Sequence, residues 1–194
     1  MSRPASRLAT AEDLARLPDK PACEVIAGEI VEKASPGPDH GTAQARLAGE
    51  LGRPFNRRGG GGGQPGGWWL MVEVEIELET HEVYRPDLSG WRRDRVPERP
   101  RVRPVRIRPD WVCEILSPSN ARYDLIAKLR TYHRCGVQHY WIVDPSNETL
   151  TVHRWGPDGY VVALTAARGD KARAEPFDAI ELQVGLLFGD EPEE

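Results

Sequence analysis

One segment, Pro109 to Pro118, constrains the fold most strongly, because it has the composition of a buried β-strand with an acid in its middle. Side chains alternate along a strand, so the segment has two faces. One face carries Trp111, Cys113 and Ile115, and the other carries Val112, Glu114 and Leu116. An unpaired carboxylate between apolar neighbours is costly or becomes protonated. A metal ion, a lysine or an arginine beside Glu114 would each resolve this conflict.

The residues after this strand predict a helix from about Ala121 to Cys135, with Ser119 or Asn120 as N-cap and Gly136 beyond its end. At about 100° per residue, the apolar arc is expected to contain Leu125, Ile126, Leu129, Tyr132 and Cys135.

Lys128 falls inside that arc, and Asp124 lies one turn earlier, where it can orient the lysine. The chain has four lysines among 26 basic residues, which favours a compact ammonium group at this position. The alternative is that Lys128 extends past the edge of the core to solvent.

Length and composition favour a single α/β domain, since the chain has 194 residues of which 39% are hydrophobic and 29% charged. We find no apolar run long enough to span a membrane and no secretory signal, so we expect a cytoplasmic protein without membrane contact. Cys23, Cys113 and Cys135 are widely spaced and favour reduced thiols over a disulfide framework or a zinc site.

The net charge of −4 does not indicate nucleic-acid binding by the chain as a whole, so a phosphate-binding surface must be local. From Arg92 to Arg108 the chain carries eight arginines against two acids, and three prolines prevent a helix. This basic loop either follows a phosphate backbone or is a solvated connector that pairs with glutamates of the surface.

The remaining elements are predicted from hydrophobic alternation and turn residues. A short helix from Ala11 to Leu17 precedes a hairpin that turns at Ala27-Gly28, and a second helix covers Gly41 to Leu51. One strand is expected from Trp68 to Glu79, with its four glutamates in solvent, and another from Glu82 to Trp91. An antiparallel meander follows the Lys128 helix.

This order places Asp87 and Glu114 side by side on neighbouring strands, where the two carboxylates would repel each other. A hard divalent cation removes the repulsion, and two carboxylates, the backbone carbonyl of Ile115 and waters form a site suited to Mg²⁺ or Mn²⁺. Such an ion binds a scissile phosphate oxygen and lowers the pKa of an attacking water. Lys128 would hold that water and offset the charge on the phosphorane.

Pro-Asp pairs alone are weak markers, because the chain contains five of them. Only Pro86-Asp87 lies on the strand before the Glu114 strand. We exclude Asp110 because it lies at the start of a strand, where exposed acids are common. For Asp87 the alternative is a structural salt bridge to an arginine such as Arg85.

One set of sequence blocks forms a pattern along the chain: Tyr84-Arg85-Pro86-Asp87, Pro109 to Ser119, Asp124, Lys128, Tyr132, Gly136-Val137 and Tyr140 to Pro145. These blocks resemble the Uma-two family of restriction-endonuclease-like proteins, a branch of the PD-(D/E)XK nuclease superfamily.

The resemblance covers about Ala22 to Leu187. It implies an α/β restriction-endonuclease-like core, in which a central mixed β-sheet flanked by helices carries an N-terminal hairpin and a C-terminal antiparallel meander. Residues 22–187 would form this domain within a single-domain chain of residues 1–194, with 1–21 as an N-terminal arm and 188–194 as an acidic tail.

The resemblance further implies that Asp87 and Glu114 are metal ligands, and His40 matches a family position near the site. One departure from the superfamily pattern is Leu116, which stands two residues after Glu114 where the parent motif has lysine. The Uma-two pattern is similar to this sequence in placing the lysine on the next helix, and Lys128 matches that position.

Three functions follow as hypotheses. The first is a Mg²⁺- or Mn²⁺-dependent endonuclease acting on DNA, for which a homodimer would allow one site per chain to cut both strands. The second is a catalytically silent module that binds nucleic acid or protein on the same fold. The third is a structural or regulatory dimer formed through exposed tryptophans at Trp68, Trp69 and Trp91.

Overall fold

The computed structural model describes residues 7–18, 21–59, 65–118 and 121–192. Its helices are α1 (Ala11–Leu14), α2 (Pro38–Phe55), a π-helical segment (Tyr123–Lys128) continued by α3 (Leu129–Arg134), and a 3₁₀ helix (Val184–Phe188). Its strands are β1 (Cys23–Ile26), β2 (Glu29–Glu32), β3 (Trp68–Val72), β4 (Ile76–Glu79), β5 (Glu82–Tyr84), β6 (Leu88–Arg92), β7 (Trp111–Ile115), β8 (His139–Asp144), β9 (Thr149–Gly156), β10 (Gly159–Ala167), β11 (Lys171–Ala172) and β12 (Leu182–Gln183).

Six strands form the main sheet in the order β10, β9, β8, β7, β6, β3. Strands β7 and β8 run parallel, with Glu114 opposite Ile142, while the other neighbouring strands are antiparallel. The parallel pair requires a crossover, and the segment containing α3 supplies it. This mixed sheet with flanking helices confirms the predicted fold class, and β8, β9 and β10 form the predicted meander.

A second sheet of four strands has the order β2, β1, β5, β4. The predicted hairpin forms half of it, and its turn lies at Ala27 and Gly28 as expected, with left-handed φ angles of 51° and 78°. A two-residue turn with positive φ at both positions matches the twist of the flanking strands.

The two long strands that were predicted, Trp68 to Glu79 and Glu82 to Trp91, are each broken into two shorter strands. Glu73 adopts a left-handed φ of 55°, which ends β3. Pro86 has no N–H group to donate, and β5 ends before it. The two breaks lie side by side, because the Glu73 N–H donates to the Asp87 carbonyl at 3.2 Å. Strands β4 and β5 therefore belong to the second sheet, whereas β3 and β6 belong to the main sheet. Asp87 lies at the junction of the two sheets.

The break also changes the environment of glutamates that were expected to face solvent. Glu75 is buried and pairs with Arg103, with Nη2 3.1 Å from Oε2. Glu73 is half-buried, and its Oε1 lies 2.9 Å from Lys33 Nζ. Glu77 is also half-buried and pairs with Arg106. The prediction that all four glutamates face solvent is therefore wrong for these three.

Helix α2 covers one face of the main sheet. Its buried residues Leu47 and Leu51 pack in one apolar cluster with Trp111 and Trp141. Phe177, from the segment between β11 and β12, meets the Trp111 ring edge-on with centroids 5.0 Å apart. This packing buries the Trp111 face of β7.

The opposite face of the main sheet is covered by α3, whose Tyr132 packs with Val112, Tyr140 and Ile142. All five residues of β7 are consequently buried, including Glu114. The prediction of a strand that is enclosed on both faces with an acid inside is thus confirmed.

The crossover helix exposes part of the arc that was predicted to be buried. Lys128 and Tyr132 are buried as expected, but Leu125 and Ile126 are 44% and 46% exposed. Residues 123–128 form a π-helix, whose wider turn departs from the assumed 100° per residue, so the buried side lies toward Asp124. The proposed N-cap residues 119 and 120 lie outside the described residues.

Other expectations concern exposure and membrane contact. Trp68 and Trp91 are 5% and 0% exposed and Trp69 is half-buried, so the prediction of exposed tryptophans is wrong. Their indoles fill apolar clusters against the main sheet. The three cysteines are free thiols, as expected. Among the described helices, none is long and apolar enough to cross a membrane.

We expect Leu47→Ala to lower the free energy of unfolding by about 2–5 kcal/mol, because it empties a fully buried position between α2 and the main sheet. Leu125→Ala is the matched control, and its exposed side chain should change the same quantity by less than about 0.5 kcal/mol. Urea unfolding followed by circular dichroism measures both. Equal losses would show that Leu125 belongs to the core, as the helical arc alone predicts.

Candidate active site

Glu114 is fixed inside the protein by two hydrogen bonds from the crossover helix. Lys128 Nζ lies 3.1 Å from Glu114 Oε1, and the Tyr132 hydroxyl donates to the same oxygen at 2.8 Å. Both bonds end on Oε1, so Oε2 takes no part in them. The lysine expected beside the buried acid is therefore present, and Lys128 does not extend to solvent.

Lys128 contacts three carboxylates that come from three different elements. Its Nζ lies 2.8 Å from Glu24 of β1, 3.1 Å from Glu114 of β7 and 3.1 Å from Asp124 of the π-helical segment. The contact with Asp124 is the predicted i, i+4 pair. The π-helical turn holds Asp124 and Lys128 on the buried side, and such turns are frequent at functional sites.

Asp87 is bound at both carboxylate oxygens. Oδ1 accepts a hydrogen bond from Lys33 Nζ at 2.8 Å. Oδ2 accepts one from the Ile115 backbone N–H at 2.6 Å and lies 3.2 Å from Nε2 of His40. Asp87 is therefore hydrogen-bonded to Ile115, the residue that follows Glu114. His40, which matches a family position near the site, contacts Asp87.

His40 has one further unusual atom. It lies in the first turn of α2, and its Nδ1 is buried without a hydrogen-bond partner among the described residues. A buried ring nitrogen without a partner is costly, so its presence needs an explanation. The opposite nitrogen faces Asp87, which aims the ring at the candidate site.

Two residues of the cluster were not predicted as site residues. Lys33 follows β2 and joins Asp87 to the Glu73 carboxylate at 2.9 Å and to the Arg85 carbonyl at 2.7 Å. Glu24 of β1 accepts the Arg85 N–H at 2.6 Å besides binding Lys128. Because the chain has few lysines, Lys33 could have been singled out from the sequence. Its contact with Asp87 could not be predicted, because the strand break before Asp87 was not predicted.

Burial is the largest influence on the charged groups of the cluster. It raises the pKa of Glu114 well above its usual value, and Asp124 and Asp87 add to the rise while Lys128 opposes it. Burial likewise raises the pKa of Asp124. For Lys128, burial acts to lower the pKa, but the three surrounding carboxylates outweigh it and the pKa lies well above its usual value. Burial therefore disfavours the ionised forms of Glu114 and Asp124, and neighbouring carboxylates add to that effect.

Asp87 behaves in the opposite way. Burial acts to raise its pKa, but the hydrogen bond from His40 and the charge of Lys33 outweigh that effect, so the pKa lies well below its usual value. Asp87 is therefore ionised at neutral pH. The two central acids differ because Asp87 has cationic or hydrogen-bonding partners at both oxygens, whereas Glu114 shares its lysine with two other carboxylates.

Asp87, Glu114 and Ile115 line one narrow cavity of about 10 Å³, together with Lys33, His40 and Lys128. A volume of about 10–15 Å³ is enough for one water-sized particle. Within the described part of the chain, no set of three or more His, Cys, Asp or Glu side chains is arranged to hold a metal ion. The Ile115 N–H donates to Asp87 at the wall of this cavity.

Asp110 was excluded as a site residue on the expectation that it is exposed, and that expectation is wrong. It is 5% exposed, its Oδ1 lies 2.7 Å from Arg95 Nε, and its Oδ2 accepts the Arg92 N–H at 2.8 Å. Asp110 forms a structural ion pair with Arg95 that anchors the basic loop. It does not line the cavity of Asp87 and Glu114.

The chain is an α/β protein whose central mixed sheet is covered by helices, and Asp87 and Glu114 meet in one cavity beside β6 and β7. The chain belongs to the Uma2 family, whose sequence model, described as "Putative restriction endonuclease", matches residues 11–185. A crystal structure titled as a putative nuclease belonging to DUF820 from Anabaena variabilis ATCC 29413 has a TM-score of 0.73 and 22% sequence identity, covering 93% of this chain and 97% of that one. At this identity the likeness establishes the fold. No curated protein matches the chain.

We expect Lys128→Met to lower the free energy of unfolding at pH 7 by about 3–5 kcal/mol, because three buried carboxylates lose their shared cation. Without the ammonium nothing opposes the burial and the neighbouring acids that raise the pKa of Glu114 and of Asp124 above their usual values, so folding takes up protons. The loss should therefore shrink as the pH falls from 7 to 5.

Urea unfolding in EDTA at the two pH values measures this effect. The matched control is Lys171→Met at an exposed lysine, which should change the free energy of unfolding by less than about 0.5 kcal/mol. A loss for Lys128→Met that is the same at both pH values would contradict the proposed charge balance.

Proposed function

We propose that the protein is a divalent-metal-dependent endonuclease that hydrolyses phosphodiester bonds of DNA. The observation that carries the proposal is that Asp87 and Glu114 reach one cavity from neighbouring strands, with Lys128 bound to Glu114. Membership of a family described as "Putative restriction endonuclease" supports a nuclease function. We take residues 22–187 as the nuclease domain.

The residues of the cluster fit a hard divalent cation. The cluster offers carboxylate oxygens and the backbone carbonyl of Ile115, and oxygen atoms of these kinds are the ligands that Mg²⁺ and Mn²⁺ prefer. Five carboxylates (Glu24, Glu73, Asp87, Glu114 and Asp124) face three cationic side chains (Lys33, Arg85 and Lys128), which leaves two negative charges in excess when all of these are ionised and His40 is neutral. One divalent ion held by Asp87, Glu114 and the Ile115 carbonyl would balance this excess.

Each residue has a role that follows from its contacts. The bound cation would polarise the scissile phosphate and lower the pKa of the attacking water. Lys128, whose ammonium is oriented by Glu24 and Asp124, would offset charge developing on the phosphate. To hold the attacking water as well, it would have to release one of its three carboxylates, since an ammonium has only three N–H donors. Tyr132 orients Glu114, and His40 positions Asp87.

We expect Asp87→Asn and Glu114→Gln to weaken Mg²⁺ binding by about tenfold or more and to lower the rate of DNA nicking by about a hundredfold. Calorimetry measures the binding, and conversion of supercoiled plasmid measures the nicking. Asp110→Asn is the matched control, since it removes a buried carboxylate next to the same strand without touching the cavity. Loss of Mg²⁺ binding in all three variants would point to a general structural effect.

Lys33 competes with a cation for Asp87 in this arrangement, because its ammonium already binds Oδ1. We expect Lys33→Met to strengthen Mg²⁺ binding by about tenfold, or about 1.4 kcal/mol, while Lys171→Met leaves it unchanged. Calorimetry on the folded variants measures this. Weaker Mg²⁺ binding in Lys33→Met would show that Lys33 supports the metal site and does not compete with it.

A catalytically silent binding module is the second candidate, and one observation favours it. Groups of the protein itself already bind Asp87 at both oxygens, through the Lys33 ammonium and the Ile115 N–H. Wild-type protein that binds DNA but neither binds Mg²⁺ nor nicks DNA would favour this candidate. A homodimer and a cytoplasmic location remain predictions, which sedimentation and cell fractionation would test.

A further inference from the structure

The basic loop is divided into paired and unpaired arginines. Three of its arginines are bound to carboxylates: Arg95 to Asp110, Arg103 to Glu75 and Arg106 to Glu77. Arg108 donates to the Gly136 carbonyl at 2.6 Å. These four residues act as the connector that was one of the two expectations for this loop.

Arg99 and Arg101 are different. Both are exposed, and neither takes part in an ion pair within the described residues. They line two adjoining grooves. The first groove also contains Arg58, Trp69 and Arg93, with the acids Asp94 and Glu98. The second groove also contains Arg85 and Arg103, with the acids Glu73 and Glu75, so four arginines face two acids in each groove. We call the surface formed by Arg58, Arg93, Arg99 and Arg101 the arginine track.

Arg93 is held rigidly in the first groove. Its guanidinium carbon lies 3.4 Å from the centroid of the Trp69 ring, and its Nε donates to the Trp68 carbonyl at 2.8 Å. Trp69 is half-buried and packs against an apolar cluster. The ring face under Arg93 is closed to a stacking base, and the groove, in which four arginines face two acids, presents net positive charge to its ligand.

The arginine track ends beside the candidate active site. Glu73 and Arg85 line the second groove, and both contact Lys33, through the Glu73 carboxylate at 2.9 Å and the Arg85 carbonyl at 2.7 Å. The same Lys33 ammonium lies 2.8 Å from Asp87 Oδ1. The Lys33 side chain therefore lies between the second groove and Asp87.

We propose that the arginine track binds the sugar-phosphate backbone of DNA and guides it to the cavity of Asp87 and Glu114. This inference rests on the proposed nuclease function. Guanidinium groups without a stacking surface or an arrangement for reading base edges contact phosphates, so binding is independent of sequence and strongly dependent on salt. The net negative charge of the chain confines such binding to this local surface.

The test is fluorescence polarisation with a labelled DNA duplex in EDTA, in which binding is measured at several KCl concentrations without cleavage. We expect the double variant Arg99→Ala with Arg101→Ala to bind about tenfold more weakly at 0.1 M KCl, with the slope of log K against log salt reduced by about two. The matched control removes two exposed arginines that lie outside the track, through Arg16→Ala with Arg173→Ala.

The two double variants have the same net charge, so equal affinity and equal salt slope in both would overturn the track. Absence of DNA binding by the wild type would overturn it as well. Plasmid nicking by the wild type is scored separately. Nicking with no effect of the Arg99 and Arg101 changes on binding refutes the track alone, whereas the expected loss of binding without any nicking supports the track and refutes the nuclease.

Discussion

The contact of Lys128 with three buried carboxylates is the interaction on which the rest of the structure depends. Glu24, Glu114 and Asp124 come from the second sheet, the main sheet and the crossover helix, and one ammonium joins them. Each of these acids would be costly alone in an apolar interior, and the lysine would be equally costly without them. The packing of the second sheet against the main sheet is therefore linked to the charge state of one cluster.

A second constraint is the paired break in the chain at Glu73 and Asp87. It sends β4 and β5 into the second sheet while β3 and β6 continue in the main sheet. The break leaves Asp87 at the junction, where Lys33 from the hairpin and His40 from α2 reach it. The same break brings Arg85 beside the basic loop, so the acidic cavity and the arginine track meet at one place.

The sequence predicted those parts of the site that depend on local patterns. The burial of Glu114 was predicted because the other residues of its strand are apolar. The burial of Lys128 and its contact with Asp124 were predicted from helical spacing. Glu24 and Lys33 were missed, because their positions depend on which sheet each half of a broken strand joins. Hydrophobic alternation continues through the break at Glu73, so no local signal marks it. Pro86 is a local signal for the second break, but the prediction of one strand from Glu82 to Trp91 gave it no weight. The π-helical turn was likewise invisible to a fixed spacing of about 100° per residue.

The central claim is that Asp87 and Glu114 share a divalent cation, and anomalous diffraction from crystals soaked in Mn²⁺ tests it most directly. The account predicts an anomalous peak between the two carboxylates, about 2.1 Å from an oxygen of each, with the Lys33 ammonium displaced from Asp87. The same soak of Glu114→Gln crystals should lose the peak. Ordered Asp87 and Glu114 side chains with no peak between them, and with Lys33 still bound to Asp87 as in this structure, would contradict the account.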